Sequence, residues 1–107
     1  MSRHHLRTNR GAVPVLVVMG YDRPLNEFFL QLWNEGSEAE ADEPAYSSLD
    51  EPEADWRDIA TVVRRLGDLD VAVPRSMIDA VLADSIRRAG NRIVEHALDG
   101  RATELSA

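Results

Sequence analysis

The chain alternates between short apolar runs and polar breaks, and its first strong run is Val13-Pro14-Val15-Leu16-Val17-Val18-Met19. This run is rich in β-branched side chains and too short for a typical helix, which predicts a buried strand over 12–19. Apolar residues on both of its faces point to a central position, with Pro14 marking the strand's beginning or an edge. Gly20-Tyr21-Asp22-Arg23-Pro24 then interrupts it with turn chemistry. The next apolar stretch fits two periods. Leu25, Phe28, Phe29, Leu32 and Trp33 make a helical stripe, whereas Phe28, Leu30 and Leu32 alternate with Phe29, Gln31 and Trp33 as in a strand. A lone strand cannot satisfy its own backbone, so the preferred reading is an antiparallel hairpin of 12–19 and 28–34.

Farther along, Trp56, Ile59, Ala60, Val63 and Leu66 fall on one stripe, with Asp55 as N-cap and Gly67 as the stop, predicting a helix over 56–66. Leu69, Val71 and Val73 alternate and should tuck inward. A second helix is predicted over 76–89. Met77, Ile78, Val81, Leu82, Ile86 and Ala89 line one side of it, and Asp79, Asp84, Arg87 and Arg88 face water. Asp84 and Arg88 have the i, i+4 spacing of a surface ion pair. One more short strand is expected, either at 45–49 with Tyr46 and Leu49 as anchors or at 92–97, a segment that also fits a continuing helix. The predicted fold class is α+β: a small antiparallel sheet covered by two helices. Residues 1–11 read as a basic flexible arm, 12–100 as one domain with an acidic loop at 35–55, and 101–107 as a polar tail.

Composition narrows the chemistry. There is no Cys, which removes disulfides, thiol catalysis and thiolate zinc sites and fits a reducing cytoplasm. The basic start followed by an apolar run resembles a signal peptide, but Pro14 interrupts the run and no small-x-small cleavage site follows it. No stretch approaches the roughly 18 apolar residues of a membrane span. Every base is Arg, which fits GC-rich bacterial coding. The net charge is −7, and ten of the 19 acids but only Arg57 among the 12 bases lie between Glu35 and Asp58. The acidity therefore sits in one segment, and net acidity disfavours direct contact with nucleic acid or an anionic membrane.

His96 is the one histidine outside the expected arm, and Glu95 beside it points elsewhere in either a strand or a helix. It reads as a structural histidine; a small enzyme using His96 with a nearby carboxylate is the catalytic alternative. No nucleophile-elbow serine and no glycine-rich phosphate cradle occur. The joint from Gly67 to Pro74 is too long for a DNA-binding helix-turn-helix. Glu38, Glu40 and Asp42 alternate like calcium ligands but lack the turn glycine and the closing glutamate. No catalytic residue, cofactor or metal site is expected. Two surface candidates remain: the tip Tyr21, Asp22 and Arg23, whose residue types anchor interfaces, and the acidic group Glu38, Glu40, Asp42 and Glu43. The function expected is that of a non-catalytic protein–protein interaction or regulatory module. An inhibitor whose acidic segment imitates nucleic acid is the alternative within binding. The partner is a protein, and homodimerisation through a sheet edge is a further option.

Overall fold

Ser2, His4 and Leu6 point inward while Arg3, His5 and Arg7 point outward. That period of two makes the expected arm a strand, β1 (Ser2–Arg10), in the computed structural model, which describes residues 1–35 and 43–106. Gly11, at φ +62°, turns the chain into β2 (Val13–Asp22). Then follow β3 (Glu27–Asn34), β4 (Tyr46–Ser47), a 3-10 turn at Ser48–Asp50, α1 (Ile59–Asp68), α2 (Arg75–Ile86), β5 (Arg92–His96) and β6 (Ala102–Ser106).

Six strands form one sheet in the order β4-β3-β2-β1-β5-β6. The predicted hairpin is present, with Val17 opposite Leu32, Met19 opposite Leu30 and Tyr21 opposite Phe28. Both candidate positions for the extra strand are strands. The sheet is larger than expected and mixed rather than antiparallel. Its two helices carry the chain from the β4 side across one face to β1, so β5 lies parallel to β1. The expected polar tail is edge strand β6, held by antiparallel pairing to β5. Polar outward positions hid β1, and exposed positions from Ala102 to Leu105 hid β6.

The helices begin and end where local hydrogen bonds dictate. Asp58, not Asp55, caps α1, its Oδ1 accepting the Ala60 N–H at 2.9 Å. The inward stripe is Ile59, Val62 and Leu66, and Val63 faces solvent. On α2 the buried positions are Met77, Val81 and Asp84, spaced i, i+4 and i+7; Ile86, expected inside, is exposed. These side chains close over Leu6, Val17, Met19, Tyr21, Phe28, Leu30 and Leu32 to make the core. Val71 joins it, with Leu69 and Val73 packed against it, as their alternation predicts.

The outer edge of β3 is covered by the segment after β4. The Ser48 hydroxyl accepts the Leu30 N–H at 3.1 Å and the Trp56 carbonyl accepts the Phe28 N–H at 2.7 Å. Arg65 grips Glu51 with both ends of its fork at 3.1 Å. Tyr46 is half-buried and donates to Glu51 at 2.6 Å, whereas Leu49, expected as an anchor, is 78% exposed. No helix among the described residues is long and apolar enough to cross a membrane.

Candidate functional site

Both helices lie on one face of the sheet. Strand register composes the other face in rows across β1, β2 and β3: His5, Val18 and Gln31 in one, Arg7, Leu16 and Trp33 in the next, with Gly20 beside Phe29. A groove of about 500 Å³ runs over this face, with Val18, Phe29 and Trp33 in its floor. That volume is within the range of small-ligand and side-chain pockets. A side chain at Gly20 would run into the Ser2 carbonyl and the Phe29 ring, so glycine lets β1 and the aromatic ring approach here. Leu49 and Leu25, the latter 63% exposed, also line the groove.

Its electrostatics are asymmetric. Arg3 and His5 line the β1 wall, and Asp22 and Glu27 line the end near the β2–β3 turn. Among the described residues, none of the four forms an ion pair, whereas Arg7 next to them reaches Glu35 at 3.5 Å and Glu95 at 4.0 Å. Burial pushes the His5 imidazole below its ordinary range, against the pull of Glu95, so it is neutral at neutral pH.

The tip residues divide. The Tyr21 ring is in the core, 1% exposed, and its hydroxyl donates to Asn26 Oδ1 at 2.7 Å, which fixes the turn in which Asn26 adopts φ +54°. Asp22 lines the groove and Arg23 is exposed. Glu43 is exposed on the surface; Glu38, Glu40 and Asp42 lie outside the described residues. Arg3 and His5 were missed because residues 1–11 read as an arm. The signal that would have found them is the alternation from Ser2 to Arg7.

Beneath the helices lies a second polar arrangement. His4 and Asp84 are 0% exposed and His96 is 8% exposed. His4 Nε2 is 2.6 Å from Asp84 Oδ2, and His4 Nδ1 is 2.7 Å from His96 Nε2. Asp84 Oδ1 accepts from Arg92 at 2.7 Å and Arg87 at 3.0 Å, and Arg92 donates onward to Glu104 at 2.6 Å. Asp84 therefore does not form the surface pair with Arg88 that its spacing suggested. The proton positions follow from donor arithmetic. The carboxylate only accepts, so His4 carries its hydrogen on Nε2 and offers the Nδ1 lone pair to the Nε2–H of His96. His96 Nδ1 is left buried, with no partner among the described residues. Burial lowers both histidines, His96 to about 4 with His4 and Arg92 adding to the effect. Burial opposes the Asp84 charge, but hydrogen bonds from His4, Ser2 and Arg92 hold its carboxyl below the usual range. Among the described residues, no group of three His, Asp or Glu is placed to hold a metal ion.

No protein-family model, no curated protein and no solved structure matches this chain.

Proposed function

We propose that this protein is a non-catalytic interaction module that takes an extended segment of a partner protein along the open face of its sheet. The observation that carries this reading is the groove over Val18, Phe29 and Trp33, lined also by the exposed Leu25 and Leu49. Large apolar side chains left in water around a concave apolar floor mark a binding surface. Charge complementarity defines the partner segment. An apolar side chain fills the floor, an acidic residue meets Arg3 and His5, and a basic residue meets Asp22 and Glu27. The segment docks on the face rather than the β3 edge, because residues 46–56 already occupy that edge.

A catalytic reading has the His96–His4–Asp84 chain in its favour. A general base needs substrate within reach, however, and His96 lines neither this groove nor the smaller cavity between Phe28 and Ser85. The binding reading is the better supported of the two.

Its test uses two sets of substitutions. Leu25→Glu with Leu49→Glu places charge in the groove lining at positions already in water. Glu38→Gln, Glu40→Gln, Asp42→Asn and Glu43→Gln together neutralise the acidic group. A partner captured by the parent protein and measured by calorimetry should bind the leucine variant at least tenfold more weakly, with thermal unfolding unchanged. Loss of binding in the neutralised variant alone would overturn the groove reading in favour of the acidic surface.

A further inference from the structure

The β5–β6 pair is attached to the rest of the sheet through β1 alone. Along that seam the side chains under the helices are largely polar: Arg92 and His96 of β5 lie beside Ser2 and Leu6, with Val94 beside His4. The seam's side-chain bonds converge on Asp84 near the end of α2, so one hydrogen-bonded chain joins β1, β5 and α2. We propose that the His96–His4–Asp84 chain is an acid-sensitive latch: proton uptake by the histidine pair releases the β5–β6 hairpin and the end of α2 from β1.

The hydrogen-bond pattern leaves one place for a proton. Of the four ring nitrogens, His96 Nδ1 alone has no partner among the described residues. A proton from water that binds there makes His96 an imidazolium. The Nε2 proton of His96 can then pass 2.7 Å to His4 Nδ1, leaving His96 neutral with its hydrogen on Nδ1 and His4 charged against Asp84. Either way the pair gains one positive charge.

The groups that face it fix the cost. They are Ser2 from β1, Asp84 and Arg87 from α2 and its C-cap, Arg92 from β5, and Glu104 from β6. Two guanidiniums and two carboxylates balance while both histidines are neutral. One added proton leaves a positive charge uncompensated in a space from which water is excluded. Opening the seam lets both imidazoles reach water, where each takes its proton near 6.5. Acid therefore favours the open seam over the closed one. His5 lies on the opposite face of β1, outside this cluster.

The experiment is amide hydrogen exchange by NMR on the full chain at pH 7 and pH 5, expressed as protection factors and paired with ring-nitrogen spectra. Protonation of even one released histidine across this interval raises the open population by about 20-fold. Protection at Arg92–His96 and in β6 should fall by that factor or more, while β2, β3 and α1 change far less. At pH 7 the His96 ring should show its hydrogen on Nε2. In His96→Gln, whose amide can donate to His4 Nδ1 but does not titrate, the selective acid response should shrink at least fivefold. A loss of protection uniform over the chain, a His96 ring that titrates near 6.5 in the folded protein, or an undiminished response in His96→Gln would each overturn the latch. Where His96→Gln does not fold, the parent's exchange pattern and ring spectra decide.

Discussion

His4 and His5 are neighbours in the chain and opposites in the fold. The pleat of β1 sends His4 under the helices, where it is fully buried between Asp84 and His96, and sends His5 to the open face beside Val18. One histidine has both ring nitrogens committed to protein partners. The other lines a groove with no ion-pair partner among the described residues. The two faces of this sheet do different work. The covered face ties His4 and Asp84 into structure while leaving His96 Nδ1 without a partner among the described residues, and the open face leaves Arg3, His5 and large apolar side chains at the surface.

The sharpest way to break that contrast is to remove one carboxylate from each face. Asp84→Asn leaves Arg92, Arg87 and His4 around a neutral group, and breaking a buried ion pair in this way costs about 3–5 kcal/mol. Asp22→Asn on the groove side should change stability by no more than about 0.5 kcal/mol. Urea unfolding of the two variants measures the difference directly. Equal effects would mean that the buried chain is held no more tightly than the groove.

Acidity sharpens the same contrast without a substitution. His96 is held at about 4 in the folded protein and rises to about 6.5 when unfolded. A lowered histidine makes the unfolded chain bind more protons between those values. Stability from this group is therefore full above about 6.5, falls as pH drops towards 4, and is flat below. The loss amounts to about 3 kcal/mol over that window, measured as urea midpoints against pH. His4 shifts in the same direction and adds to it. His96→Gln should flatten most of the slope.

Much of the fold was legible in the sequence because the hairpin and helices bury one face by a regular period. Phe28, Leu30 and Leu32 alternate inward as predicted, and Val71 closes the core between the helices. Three things were not legible, each for a physical reason. Arg3, His5 and Arg7 gave β1 the composition of a loose arm, although the alternation of Ser2, His4 and Leu6 was there to be counted. Asp84 occupies an inward helical position that polarity assigns to solvent; its burial is made tolerable by His4, 80 residues away, together with Arg87 and Arg92. The groove is composed by register across β1, β2 and β3, and no single stretch contains it.

Gly20 couples the faces through the backbone. Its missing Cβ lets the Ser2 carbonyl of β1 and the Phe29 ring of the groove pack together. Gly20→Ala should cost about 1–3 kcal/mol through overpacking and shift the Phe29 resonances. Gly67→Ala, on an exposed stretch of α1 where a Cβ meets nothing within 4 Å, should instead stabilise slightly, as alanine does in helices. A destabilisation by both changes would show that glycine at position 20 answers to no special approach of strands.

The smallest expected effect on the fold carries the most information about function. His5→Gln should alter stability at neutral pH by no more than about 0.5 kcal/mol, because the ring is only partly covered and neutral there. Its effect should appear in binding. His5 is lowered by burial in the free protein, and a partner carboxylate arriving beside it and Arg3 favours the charged imidazole. The bound state then holds its proton more tightly than the free state, so association takes up a proton and strengthens as pH falls through the His5 range. Calorimetry in two buffers of different ionisation enthalpy counts that proton. The response has the opposite sign to that of the buried pair: acid weakens the fold through His4 and His96 while it tightens the groove through His5. Binding that is independent of pH between 7 and 6, or equally pH-dependent in His5→Gln, would remove the carboxylate from the partner segment and leave recognition to the apolar floor of Val18, Phe29 and Trp33.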